Sequence, residues 1–157
     1  ELRSQGLDEV VQEVAAQGSF LLGICLGMQM LLDESDEFGK TEGLGIIPGR
    51  VVPIPSTTKD GFSQKIPHIG WNNLVLPKSL NSWKDTLLQE INPGEAGYFL
   101  HSFMVVPNNP EHRIADSIYG GVSVSSTIGR DNIYGCQFHP EKSGEVGLKI
   151  LHRFLSL

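Results

Sequence analysis

Leu21-Leu22-Gly23-Ile24-Cys25-Leu26-Gly27-Met28-Gln29 is the stretch that decides the fold. An apolar run ends in Gly-x-Cys-x-Gly and passes straight into a helix-period pattern. Small residues on both sides of a nucleophile suit a sharp strand-to-helix turn, because a side chain at Gly23 or Gly27 is expected to crowd the reversing backbone. In the serine form of this turn, the N–H of the residue after the nucleophile serves the oxyanion hole. A cysteine at the apex lies at a helix N-terminus, where the dipole and free N–H groups favour the thiolate. Read alone, the motif also fits a buried strand–helix turn that carries a passive thiol.

Gly135-Cys136-Gln137-Phe138-His139-Pro140-Glu141, near the other end, supplies the second half of the signal. Side chains of an extended segment alternate faces. Tyr134, Cys136 and Phe138 then form an apolar stripe, opposite Gln137, His139 and Glu141. Pro140 holds His139 extended and withholds one N–H from any sheet ladder. The strand thus ends on an imidazole with a carboxylate two residues on, and that carboxylate can accept the Nδ1–H bond and fix the tautomer. Without the cysteine elbow, His-Pro-Glu would read as a solvated strand end.

Together these residues resemble the class I glutamine amidotransferases, through Gly-Ile-Cys-Leu-Gly-Met-Gln (residues 23–29) and Gln-Phe-His-Pro-Glu-Lys-Ser (residues 137–143). Within that family the chain is most similar to the glutaminase subunits of imidazole glycerol phosphate synthase. The branch features are Gly43-Leu44-Gly45-Ile46-Ile47-Pro48-Gly49, His68-Ile69-Gly70-Trp71-Asn72 and Tyr98-Phe99-Leu100-His101-Ser102-Phe103. The resemblance covers residues 1–157 and implies one glutaminase domain. Family members carry a further βαβ-type segment before the position of Glu1. The chain is therefore expected to be N-terminally truncated, with the second oxyanion donor on a glycine-rich loop upstream.

The resemblance implies that Cys25 attacks the side-chain amide of L-glutamine, His139 moves the protons and Glu141 orients His139. Leu26 gives its backbone N–H to the oxyanion. Gln29, one helical turn after Cys25 and on its face, matches a position that contacts the substrate. Glu37 matches one that holds the substrate's amino group, and Ser102 and Phe103 match a segment gripping its α-substituents. Trp71, Tyr98 and Lys142 match the face toward a synthase partner, a (β/α)₈ barrel in a heterodimer. No cofactor and no metal are implied. His101 reads as a hydrogen-bonded structural histidine. His68, His112 and His152 read as surface or packing residues, and Cys136 as a core thiol.

Composition narrows the alternatives. The 157 residues suffice for one domain with a substantial core, and 39% hydrophobic with 19% charged residues is ordinary for a globular protein. A net charge of −6 argues against nucleic-acid or anionic-membrane partners. No apolar run approaches the ~20 residues of a membrane span. Two cysteines without metal-ligand spacing suggest neither a disulfide scaffold nor a zinc site, and a nucleophilic thiol suits a reducing cytoplasm.

Periodicity predicts a helix through Leu7, Val10, Val11, Val14 and Ala15 with Gly18 at its C-cap, then a strand over residues 20–24 buried on both faces. A helix follows from Leu26 to Asp33, and residues 35–43 form a loop. Residues 46–54, among Pro48, Pro53 and Pro55, make at best an edge strand, and residues 56–66 form a second loop. Further strands are predicted over 68–76, 97–106, 121–128 and 133–138, with a turn at residues 129–132. The last helix runs from about Glu145 to the end, with Val146, Ile150, Leu151, Phe154 and Leu155 on its core side. The expected fold is α/β: a three-layer sandwich with a mostly parallel, partly mixed central sheet. Three other functions remain open: supplying ammonia to a sugar amidotransferase of surface-polysaccharide pathways, hydrolysing γ-glutamyl amides alone, and serving as a non-catalytic module. The stretch Asp116–Gly121 weakens the histidine-pathway assignment.

Overall fold

The computed structural model describes residues 3–157; the polar lead-in at Glu1 lies outside them. A short 3-10 turn precedes helix α1 (Leu7–Ala16), strand β1 (Leu21–Ile24) and helix α2 (Leu26–Met30). Then come β2 (Glu34–Ser35), β3 (Thr41–Glu42), β4 (Gly49–Pro53), β5 (His68–Asn73), β6 (Ala96–His101) and β7 (Phe103–Pro107). Strands β8 (Arg113–Tyr119), β9 (Val122–Arg130) and β10 (Ile133–Cys136) precede the final helix α3 (Gly144–Leu155). No helix among the described residues is long and apolar enough to cross a membrane.

The central sheet has the order β1-β10-β9-β8, a second sheet the order β3-β2-β4-β7, and β5 pairs with β6 in a ribbon. The α/β class holds, but the pairing is more mixed than a mostly parallel sheet. Among the described strands, β1·β10 and β2·β4 are parallel and the other pairs antiparallel. The cause is local, because β8, β9 and β10 are joined by turns at Gly120-Gly121 and Asp131-Asn132, too short for anything but hairpins. Gly120 and Gly121 have φ of 57° and 77°, which glycine adopts without strain. The stretch Asp116–Gly121 is thus the end of a strand and its hairpin turn. Strand β8 went unpredicted, although a Gly-Gly pair between Tyr119 and Val122 is a hairpin signal.

Each face of the central sheet covers its own core. Along β10, Tyr134 and Cys136 point into a cluster with Leu74, Trp83, Leu87, Leu88, Phe138 and Ile150. Ile133 points the other way, into a cluster with Met28, Leu31, Leu32, Ile47 and Val51. Helix α3 and the turns carrying Trp83–Ile91 therefore form one outer layer, and α2 with the second sheet forms the other. Gly147 lets α3 approach the 3-10 turn at Pro140–Lys142, since a Cβ there would lie 1.7 Å from the Pro140 carbonyl oxygen. Gly97 makes room for the Phe138 ring in the same way, at 2.8 Å.

Several boundaries differ from expectation. Strand β1 is only half-buried apart from Gly23, because among the described residues it stands at one end of its sheet and pairs with β10 alone. Helix α2 ends at Met30, and residues 34–42 form a small hairpin in place of a loop. Strand β4 is interior to its sheet: Pro48 lies outside it, Pro53 ends it, and Arg50, Val51 and Val52 keep their N–H groups. The single strand expected over 97–106 breaks at Ser102, so that β6 joins β5 while β7 joins β4. Leu155 is 83% exposed, beyond the core-facing stripe of α3.

Candidate active site

The site grows from one parallel pair. Ile24 of β1 is in register with Cys136 of β10, and the Cys25 N–H donates to the Cys136 carbonyl at 2.7 Å. Both strands run the same way, so the residues that follow each emerge at one carboxyl edge, where open α/β sheets place their ligands. Cys25 leaves β1 there, and Gln137, Phe138 and His139 leave β10 beside it.

Cys25 occupies φ 52°, ψ −107°, a sparsely populated conformation for a residue with a side chain. Gly23 permits the reversal, because a Cβ at that position would meet Gly27 C and O at 2.6 Å and Met28 N at 2.7 Å. Gly27 differs from expectation, since a Cβ there would have nothing within 4 Å. Only the glycine before the nucleophile is sterically required.

His139 is anchored by its own N–H to the Tyr98 carbonyl at 2.8 Å, while Ser143 Oγ donates to the His139 carbonyl at 2.6 Å. His139 Nδ1 lies 2.8 Å from Glu141 Oε1. An ionised carboxylate only accepts, so Nδ1 carries a proton, and in the neutral ring that leaves Nε2 as the acceptor. At rest the Cys25 thiol points elsewhere, donating to the Leu100 carbonyl at 3.7 Å, with Gln137 Nε2 at 3.9 Å from the sulfur. Catalytic contacts are often long in unliganded sites and tighten with substrate. Burial pushes the thiol above its ordinary value, the Leu26 N–H pulls it down, and the carboxylates of Glu141 and Glu37 push it up again. Desolvation is the largest of these influences, and the Leu26 N–H at the start of α2 offsets part of it. Proton removal falls to a base.

Gln29 is buried, with Nε2 donating to Phe103 O at 3.2 Å and to Gln137 Oε1 at 3.1 Å. Both N–H groups are thereby engaged, leaving its Oε1 as the free acceptor. Leu26, Gln29 and Glu37 line one cavity of about 260 Å³ with Met30, Ser35 and Phe38. Ser102 and Phe103 lie outside that lining: the Phe103 carbonyl joins through Gln29, and the Ser102 carbonyl accepts the Ile54 N–H at 2.9 Å. Trp71 is 60% exposed and meets Tyr98 edge-on at 5.9 Å, and Lys142 is exposed beyond Glu141.

Two groups escaped sequence reasoning. Alternation along the strand puts Gln137 on one face with His139 and Glu141, yet its side chain is fully buried against the sulfur. His68 is a buried residue stacked between Phe99 and Tyr119, and its Nδ1 lies 3.0 Å from His101 Nε2. The pairing follows from the β5·β6 register, in which His68 faces His101, and register across a 22-residue connection is not legible in sequence. His101 itself matches the structural reading, bonded through Nδ1 to Phe103 O at 2.7 Å. Cys136 is a core thiol pushed up to about 12 by burial.

Comparison with known proteins covers nearly the whole chain. The glutamine amidotransferase class-I family profile matches residues 3–156. The imidazole glycerol phosphate synthase subunit HisH 1 of Legionella pneumophila (strain Lens) is 52% identical over 149 residues, covering 95% of this chain and 70% of that protein. Subunit HisH of Geobacillus sp. (strain WCH70) is 49% identical over 156 residues, covering 99% and 71%. Among solved structures, a glutamine amidotransferase superposes with TM-score 0.66 at 18% identity, covering 99% of this chain and 69% of that one. A Thermotoga maritima glutamine amidotransferase gives 0.58 at 16%, covering 97% and 54%. At those identities the structures establish the fold.

Proposed function

This chain belongs to the class I glutamine amidotransferases, and we propose that it hydrolyses L-glutamine to glutamate and ammonia through Cys25, His139 and Glu141. The observation that carries the proposal is the emergence of the Cys25 elbow and the bonded His139–Glu141 pair at one edge of the β1·β10 pair. The Cys25 sulfur attacks the side-chain amide carbon of glutamine while its proton passes to His139 Nε2. The oxyanion that forms accepts the Leu26 N–H. Collapse breaks the C–N bond, and the imidazolium returns its proton to the departing ammonia, leaving a thioester. His139 then takes a proton from water, which attacks the thioester and releases glutamate and the thiol. Glu141 holds the tautomer and stabilises the imidazolium in both halves. Gln29 Oε1 and the Glu37 carboxylate, on one cavity, suit the positive end of the substrate.

The ammonia passes to a synthase subunit, a (β/α)₈ barrel that forms imidazole glycerol phosphate in histidine biosynthesis. Relatives named as subunits of that synthase support this reading. So does the β5·β6 ribbon, where Ile69, Trp71 and Leu100 leave an apolar surface 49%, 60% and 42% exposed. The pathway is cytoplasmic. The test is ammonia release from glutamine by the full-length protein, with and without the barrel subunit. Release that rises several-fold with the barrel is expected. Equal release in its absence would instead make this a hydrolase acting alone.

A further inference from the structure

Gln137 has no exposed surface, yet its side chain lies between the nucleophile and a buried polar chain. Its Nε2 is 3.9 Å from the Cys25 sulfur, and its Oε1 accepts from Gln29 Nε2 at 3.1 Å. The second N–H of that Gln29 amide meets Phe103 O at 3.2 Å. The same carbonyl accepts from His101 Nδ1 at 2.7 Å, and His101 Nε2 faces His68 Nδ1 at 3.0 Å. His68 Nε2 in turn lies 3.3 Å from Asn72 Nδ2.

One backbone carbonyl sets the polarity of every link. Phe103 O only accepts, so His101 must carry its proton on Nδ1 and present Nε2 as an acceptor. His68 must then donate from Nδ1 and accept from Asn72. On the other side, Phe103 O draws the NH₂ group of Gln29 toward itself. The remaining N–H of that group faces Gln137, which must answer with Oε1. The Gln137 NH₂ is thereby turned toward the sulfur and cannot flip without breaking the Gln29 bond. A buried amide used only for packing would not require a fixed orientation, and this one aims its donor at the nucleophile.

We propose that Gln137 is a further catalytic residue, whose amide N–H donates to the Cys25 sulfur as the thiolate forms and as it departs from the thioester, and that His101 is its positioning residue, acting through Phe103 O and Gln29. The proposal rests on the assignment of Cys25 as nucleophile. The charged groups whose fields reach the sulfur are Glu141 and Glu37, both raising the cost of the thiolate. A directed donor opposes them.

The test is the pH dependence of Cys25 alkylation by iodoacetamide in the full-length enzyme, read by mass spectrometry of the Cys25 peptide. Thermal unfolding checks the fold of each variant. Gln137→Met removes the donor at similar volume and should move the inflection up by about 0.5–1 pH unit, slowing alkylation ~3–10-fold at fixed pH. Gln137→Glu places a carboxylate there and should move it further. His101→Leu should give a smaller shift in the same direction, and His101→Asn, whose amide nitrogen stands where Nδ1 did, should restore the wild-type inflection. A Gln137→Met inflection coincident with wild type overturns the proposal, and so do equal inflections for His101→Leu and His101→Asn. If Gln137→Met does not fold, Gln137→Glu and the His101 pair decide it. Failure of the underlying assignment looks different: complete alkylation of Cys25 would leave glutamine turnover intact, whatever the inflection.

Discussion

Gly23→Ala and Gly27→Ala look equivalent in a Gly-x-Cys-x-Gly motif, and the structure separates them. An alanine Cβ at Gly23 would sit 2.6 Å from Gly27 C and O and 2.7 Å from Met28 N. Carbon contacts are comfortable from about 3.5 Å, so the backbone of β1 and that of α2 must part by close to 1 Å. Every obstructing atom is main chain, so no rotamer change relieves the clash. Overpacking of this kind costs about 1–3 kcal/mol, which lowers Tm by ~3–10 °C in a chain of this size. The shift falls on the residue that holds the nucleophile, and a misplacement near 1 Å can cost ~10²-fold in turnover. At Gly27 the Cβ meets nothing within 4 Å. The position is helical, so alanine should leave stability unchanged or add up to ~1 kcal/mol of helix propensity, with Tm equal to or above wild type. The assay is thermal unfolding and glutamine turnover for both variants. Wild-type behaviour of Gly23→Ala, or equal damage from Gly27→Ala, would refute the packing argument.

Three further outcomes are expected. His139→Ala should lower glutamine turnover by roughly 10²–10⁴-fold, Glu141→Gln should lower it less, and the double variant should be scarcely worse than His139→Ala; multiplicative losses would mean that the two do not act as one unit. His68 is held down to about 4 by burial and by neighbouring His101, so the unfolded chain takes up its proton first as pH falls. The stability this group contributes is present above pH 6.5 and is lost between 6.5 and 4, by about 2–3 kcal/mol. A His68→Gln variant should flatten that part of the Tm–pH curve, and an unchanged slope would contradict it. Trp71→Ala should weaken binding of the barrel subunit while leaving Tm near wild type, since the ring is 60% exposed; titration calorimetry showing unaltered affinity would remove Trp71 from the interface.

What was legible in the sequence was whatever local chemistry enforces. The elbow is written in Gly23 and Cys25, because a steep reversal around a nucleophile tolerates few residues at the glycine. The His139–Glu141 bond is written in a two-residue spacing across a proline. Helix α1 announced itself through periodicity and through Gly18, which adopts φ 82° after it. Long-range register stayed hidden. Nothing near His68 says that it will face His101, and nothing near Gln137 says that its buried amide will meet Gln29 from another element. The prolines around β4 misled for a related reason: their penalty depends on which N–H the ladder needs, and here they stand at the ends of the strand. The Leu26 N–H lowers the cost of the thiolate as the motif suggests, but burial by elements distant in sequence acts against it and more strongly.

The most direct test of the central claim is synthase turnover by the complex of full-length Cys25→Ala with the barrel subunit, driven by glutamine and, separately, by added ammonium salt. Turnover with ammonia should match that of the wild-type complex, and turnover with glutamine should vanish. Retained glutamine-driven turnover would contradict the account, because the ammonia would then be released without the Cys25 sulfur.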